Sequence, residues 1–275
     1  MCVAGCMATV AETVSRRGLF KAAGTTAALG AMSAFSPFAA QAATMSFSKV
    51  VDLTHVLWPD FPTFTGKPQL KLEVMYVFEK DGWNENQWHL IEHTGTHMDA
   101  PLHFSAKDKG ADASALPAET LVAPLCVVNI AERAAKDADT QLTADDIKAW
   151  EAKNGPLPDG AAVAMNSGWD QHVKTDKFRN ADKDGVMHFP GFHPDAAALL
   201  LERKVVGIVV DSLSLDHGPS KDFATHYRWL PAGRWGLECA ANLGQVPEKG
   251  AVIVVGGPKI LGATGGMTRA FALLP

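Results

Sequence analysis

Twelve residues, His93-Thr94-Gly95-Thr96-His97-Met98-Asp99-Ala100-Pro101-Leu102-His103-Phe104, constrain the fold more than any other stretch of this chain. Three histidines and one aspartate fall on odd positions, as do Gly95 and Pro101. In an extended segment side chains alternate between faces, so His93, His97, Asp99 and His103 point the same way. Imidazole nitrogen and carboxylate oxygen are the donors that a divalent ion such as zinc or manganese takes. A structural zinc site is usually closed and rich in cysteine, whereas a His/carboxylate site keeps a position for water. The chain must also bring further donors from elsewhere.

A helix would put His93 and His97 on one face too, as in the HExxH proteases. Gly95, the β-branched Thr94 and Thr96, and Pro101 argue against a helix, and no glutamate follows His93 as a base. Four residues of straight strand span roughly 13 Å, a long reach for two imidazoles. Gly95 permits the kink that shortens it, and Pro101 ends sheet pairing and delivers His103 to a rim.

The remainder has an ordinary globular composition: 275 residues, 47% hydrophobic, 20% charged, net charge −5, mean hydropathy near zero. That is enough for a sizeable core in one domain, or at most two. No basic face for nucleic acid is indicated. Ser15-Arg16-Arg17-Gly18-Leu19-Phe20-Lys21, the uncharged run 22–40 and Ala40-Gln41-Ala42 read as a twin-arginine signal with a small-x-small cleavage site. Residues 1–42 are therefore expected to be a leader and 43–275 the mature domain, periplasmic or otherwise exported. The run is too weakly apolar for a stable spanning helix. Of four cysteines, Cys126 and Cys239 lie outside the leader, and no CxxC pair suggests a thiolate site.

In chain order, Lys49–Leu57 reads as a strand. The proline-punctuated stretch Trp58–Gly66 follows, its aromatics either loop anchors or a pocket wall. Gln69–Glu79 carries Leu70, Leu72, Val74, Tyr76 and Phe78 on one parity, the pattern of a half-buried strand. After the Asp81-Gly82 turn signal, Gln87–His97 makes a hairpin plausible. Leu121–Ile130 is an apolar run that buries Cys126. Thr143 with Asp146 opens a helix to about Lys153. Gly160–Met165 reads as a strand, Pro194–Lys204 as a helix with proline in its first turn, Val205–Leu213 as a central strand, 222–230 as a helix, and Gly250–Val255 as a late strand. This mixture predicts an α/β or α+β domain with one sheet system. Among the other histidines (His55, His89, His172, His188, His193, His217 and His226), spacing favours His226, with Glu238, because both follow a central strand.

His93-x-Gly95-Thr96-His97-x-Asp99-x-Pro101-x-His103-Phe104 resembles, without a gap, the signature of the metal-dependent cyclase family, which includes bacterial kynurenine formamidase and isatin hydrolase. The resemblance continues through Asp52-Leu53-Thr54-His55, Asn166-Ser167-Gly168-Trp169, Pro190-Gly191, the stretch Val210–Asp216, and Glu238. It implies an α/β fold, a single domain with a mixed sheet and a swivelling β/β/α core, usually dimeric or tetrameric. It implies metal binding by His93, His97, Asp99, His226 and Glu238, with Asp99 able to bridge two ions, and proton transfer by His103. It places Phe64 against the substrate ring, where formamidases carry tryptophan, and Cys239 where relatives often carry another residue.

The chemistry expected is hydrolysis of a C–N bond in a small aromatic amide, with one or two divalent ions, zinc first and manganese second. N-formylkynurenine is the first candidate substrate, an isatin-type lactam the second, a lactone the third. The rival classes are an exported protein that binds a small ligand at the metal without turning it over, and a protein that uses the metal only for structure.

Overall fold

The computed structural model describes residues 46–275, of which Ser46–Pro275 form one compact unit. The leader expected at 1–42 lies outside the described residues. The strands, in chain order, are β1 (Lys49–Asp52), β2 (Leu70–Tyr76), β3 (Glu85–Leu90), β4 (His97–Asp99), β5 (Val122–Asn129), β6 (Gln141–Leu142), β7 (Ala162–Asn166), β8 (Gly191–Phe192), β9 (Gly207–Val210), β10 (Trp235–Glu238), β11 (Ala251–Gly256), β12 (Gly265–Met267) and β13 (Arg269–Leu274). The helices are α1 (Phe78–Asp81), α2 (Ala131–Lys136), α3 (Ala144–Asn154), α4 (Pro194–Glu202) and α5 (Ala224–Trp229).

Nine strands form one mixed sheet in the order β1-β13-β11-β5-β7-β9-β10-β4-β12. The middle block β5-β7-β9-β10 is parallel, because each of its connections carries a helix back across the sheet. Both wings pair antiparallel. The central strands read as unbroken apolar runs because both their faces are covered. Alternate residues serve different cores. Leu125, Val127, Ala162, Ala164, Val209 and Leu237 face the wings, while Val128, Val163, Met165, Ile208 and Val210 face the helices, with Ile147, Trp150 and Leu200. A third cluster, with Phe61, Trp169, Phe178 and Phe189, lies under the proline-rich loop.

Local sequence signals account for the helix starts. Thr143 and Asp146 make a reciprocal capping box at α3. His193 caps α4 and Pro194 occupies its first turn. The strand expected over Gln69–Glu79 is shorter and is not half-buried: beyond Leu70, β2 is exposed on both faces. Among the described residues it pairs only with β3, in a separate hairpin, and its side chains beyond Leu70 stay exposed. The extended reading of 93–103 holds only for β4. His93 stands on a loop, Gly95 turns the chain at φ +68°, and Pro101–Phe104 is a turn of 3-10 helix.

Candidate metal centre and its cavity

The cluster is assembled at the carboxyl ends of the parallel strands, where open α/β sheets place their ligands. Glu238 ends β10 and is the cross-strand partner of His97, which begins β4. Asp99 lies two residues further on the same face. Its partners on both neighbouring strands are glycines, Gly236 and Gly265, so the space around its carboxylate is open to rings from elsewhere. One such ring is that of His93: a Cβ on Gly265 would stand 2.7 Å from its Cε1. His226 comes from α5, which follows the loop after β9. The structure thus brings His93, His97, Asp99, His226 and Glu238 together across 145 residues (238 − 93).

Heavy-atom geometry assigns the ring protons of two histidines. His97 Nδ1 lies 2.9 Å from the Gly95 carbonyl, which can only accept, so Nδ1 carries the proton. His226 Nδ1 likewise donates to Asp216 Oδ2 at 2.6 Å. Both Nε2 lone pairs then face carboxylates. His97 Nε2 lies 3.3 Å from Glu238 Oε2 and 3.4 Å from Asp99 Oδ1; His226 Nε2 lies 3.2 Å from Glu238 Oε1 and 3.6 Å from Asp99 Oδ2. Lone pairs meeting at these distances in a buried site require a positive charge among them. Among the described residues, His97 Nε2 and Asp99 Oδ2 are buried without a directed hydrogen bond. His97, Asp99 and Glu238 offer donor atoms within 4.8 Å of one another, and so do His93, Asp99 and His103, with Asp99 shared. Two nitrogens and two carboxylates around a charge-deficient centre fit a divalent ion.

In the protein alone, protons take up that role. Burial by itself would push His97 down, but Asp99 and Glu238 overcome it and hold the ring at about 10. His226 is raised in spite of its burial by Asp216, Asp99 and Glu238. Burial alone would raise Asp99, yet its three histidine neighbours keep it well below the usual range. Glu238 is lowered against burial and the repulsion of Asp99, and its Oε1 accepts from the Leu215 amide at 2.8 Å.

His103 differs from this set. It is half-buried and stacks on His93, ring centroids 3.7 Å apart at 20°. Burial pushes it down to about 4, against the pull of Asp99, so its ring is neutral at neutral pH and free to accept a proton. No side-chain hydrogen bond among the described residues fixes it.

The cluster opens into a cavity of about 260 Å³, the scale of a small organic molecule. Phe64, Phe104, Leu213 and Phe223 supply apolar walls, and Cys239 lines it beside Glu238. The proline-rich stretch divides its aromatics: Phe61 is a buried anchor while Phe64 is a pocket wall, 38% exposed. A wider cleft of about 820 Å³ lies behind the same loop and includes none of the candidate ligands. Phe223 and Cys239 adopt left-handed backbone, at φ +50° and +52°. Such strain in non-glycine residues gathers at functional sites, and here both flank the donors.

Asp216 is a residue to which sequence reasoning gave no part. Buried, it accepts from the Thr225 and His226 amides as well as from the His226 ring. It orients a donor histidine from behind, as carboxylates do at metal sites. Its sequence signals are its place at the end of the family-like stretch Val210–Asp216 and its position ten residues before His226.

Comparison with known proteins fits this geometry. The Cyclase family model matches residues 51–217, a stretch that contains His93–His103 and Asp216 but ends before His226 and Glu238. The chain belongs to the cyclase family. It is 35% identical over 246 residues to isatin hydrolase of Roseibium aggregatum, covering 82% of this chain and 92% of that protein. It is 25% identical over 190 residues to kynurenine formamidase of Bacillus cereus, covering 69% and 80%. A crystal structure of an isatin hydrolase bound to the product analogue thioisatinate superposes with a TM-score of 0.77 at 34% identity, covering 82% of this chain and 92% of that one.

Proposed function

We propose that this chain is a metal-dependent hydrolase that opens the amide bond of a small aromatic lactam of the isatin kind. The observation that carries the hydrolytic reading is the convergence of His97, His226, Asp99 and Glu238 on one charge-deficient centre beside an unpaired, neutral His103. The lactam is favoured over N-formylkynurenine because the likeness to isatin hydrolase is higher in identity and spans more of both chains. Phe64 in place of tryptophan agrees with a substrate other than that of the formamidases.

His93, His97, Asp99, His226 and Glu238 would hold the ion, zinc or manganese, and Asp99 is placed to serve two ions if two are bound. When bound, it would supply Lewis acidity toward the carbonyl and lower the pKa of water. Phe64, Phe104 and Phe223 hold the substrate ring and exclude bulk water. A ring nitrogen of His103 takes the proton from the attacking water and returns it to the nitrogen as the C–N bond breaks. One water is consumed, ring opening leaves a carboxylate and an amine on one product, and the second proton of the water is released to solvent.

The test is a hydrolysis screen of metal-loaded full chain against isatin, N-formylkynurenine and simple lactones. Isatin is expected to show the highest kcat/KM. Turnover of N-formylkynurenine without lactam turnover would restore the formamidase reading, and tight binding without any turnover would make the protein a binder.

Two further parts of this reading concern the protein's setting. Export through the twin-arginine leader predicts processing near Ala42, read by amino-terminal sequencing of the extracytoplasmic fraction. A homodimer is supported by the uncovered β2–β3 hairpin, where Leu72, Val74, Phe78, Trp83 and Trp88 are exposed. An isolated hairpin is marginal in water, and light scattering should give twice the chain mass. No helix among the described residues is long and apolar enough to cross a membrane.

A further inference from the structure

His93 is held differently from the other two histidines. Its Nε2 lies 2.9 Å from Thr264 Oγ1, and Thr264 Oγ1 lies 2.5 Å from Glu92 Oε2. The Thr264 amide also reaches Glu92 Oε2, at 3.2 Å. A hydroxyl has one proton to donate and a carboxylate can only accept. The Thr264 hydroxyl therefore points its proton at Glu92 and presents a lone pair to His93. Nε2 of His93 must therefore carry a hydrogen, and Nδ1, 2.8 Å from Asp99 Oδ1, is the nitrogen whose proton an ion would displace.

We propose that Glu92 and Thr264 form a positioning relay that fixes His93 as the Nε2–H tautomer and aims Nδ1 at the metal centre. His97 and His226 use the opposite nitrogen: their Nδ1 atoms are tied back by Gly95 and Asp216, and their Nε2 atoms face inward. His93 arrives from a loop and not from β4, so its ring must be turned the other way to reach the same centre. The relay supplies that turn. Its three parts come from the hairpin exit, the loop before β4, and the residue before β12. Gly265 and His103 complete the cradle, the first by lacking a Cβ that would strike the ring and the second by stacking on its face.

The inference rests on the metal reading of the site, and its test separates the two. Zinc affinity of the full chain is measured by competition with a chelating indicator for wild type, Thr264→Val, Thr264→Ser and Glu92→Gln. Ring-proton positions are read by two-bond 1H–15N correlation in zinc-loaded, 15N-histidine-labelled protein. Loss of an outer hydrogen-bond partner of a ligating histidine costs roughly 10–100-fold in affinity. Thr264→Val is expected to show that loss. Thr264→Ser, which keeps the hydroxyl, should stay close to wild type. Glu92→Gln should weaken binding, because the hydroxyl is no longer obliged to point away from His93. In wild type the His93 proton should sit on Nε2, with those of His97 and His226 on Nδ1. Wild-type affinity in both Thr264→Val and Glu92→Gln, or a His93 proton on Nδ1, overturns the relay and leaves the metal reading standing. Failure of wild type to bind zinc, manganese or cobalt overturns both.

Discussion

His97 and His103 are six residues apart and share the cavity, yet their surroundings set them to different tasks. His97 is enclosed by two carboxylates with its far nitrogen tied to Gly95. Its replacement by alanine should abolish metal content and turnover together, as read by elemental analysis and by the lactam assay. His103 has no such partner, and His103→Ala should keep the metal while kcat falls roughly 10²–10⁴-fold, the usual range for loss of an acid–base group. Full activity in His103→Ala would remove it from the reaction. At this scale the sequence was informative where the donors cluster, because alternating His and Asp about a glycine have few other uses. Glu92 and Thr264 were silent, and Asp216 was seen only as the end of a family-like stretch with no role of its own, since single polar residues acquire meaning only through a contact, which here spans up to 172 positions. His226 and Glu238 were legible mainly through family resemblance, as their spacing alone favours them only among several histidines.

Besides the bonds that Thr63 and Thr65 make within it, the loop that carries Phe64 is tied to the segment after Trp169 by Arg179. Arg179 Nε donates to the Thr63 carbonyl at 3.1 Å and Nη2 to the Phe64 carbonyl at 3.3 Å, and Gly66 leaves room for the guanidinium, with Cζ 2.9 Å from where a Cβ would stand. Arg179→Ala should free this wall of the cavity. KM for the lactam is expected to rise about tenfold, equivalent to about 1.4 kcal/mol, with metal content and kcat near wild type. A fall in kcat with KM unchanged would count against a clamp. Beyond the end of β9, Asp211 is fully buried and accepts from the Ser167 amide, the Ser167 hydroxyl and the Trp169 amide. Burial pushes its carboxyl up to about 7 from the ordinary 3.8, against those donors. The native chain then binds more protons than the unfolded one between those values, so this residue's contribution to stability falls as pH rises from 4 to 7. Urea titrations in excess chelator should show the difference between wild type and Asp211→Asn shrinking over that interval; a difference that grows would reverse the assignment. Among the elements, α3 and α4 were readable from their caps, and β5 and β9 from apolar runs. β4 was read as extended within a segment drawn too long, whereas β10 and β12, with sequences Trp-Gly-Leu-Glu and Gly-Gly-Met, show neither an alternating pattern nor an unbroken apolar run. The hairpin was found but its burial was misjudged, since one-parity apolar residues mark an apolar face without showing that the same chain covers it.

Over the whole molecule, the mixed sheet does the assembling. Its parallel middle aligns the ends of β9 and β10, and the antiparallel turn of β4 against β10 sets His97 opposite Glu238. The two large cores flank this sheet and owe nothing to an ion. Stripping metal with a chelator should therefore abolish activity but leave the far-ultraviolet circular dichroism largely intact. The melting point should drop by an amount that depends on metal concentration, as mass action requires, with about 2.7 kcal/mol at a hundredfold excess over Kd. Unfolding on chelation would instead mark a structural ion. The fold class was legible because strand and helix signals alternate through the middle of the chain; the sheet order was not, because β4 and β12 reach it by long excursions.

The pairing of His97 with Glu238 also has a consequence in time. A ribosome adds 141 residues (238 − 97) between the two, which at 5–20 residues per second takes about 7 to 28 s. Throughout that interval the emerging chain displays a histidine–aspartate motif that lacks its opposing carboxylate. Choice of an ion by this motif would thus wait until Glu238 has emerged, and would be made by the closed sheet.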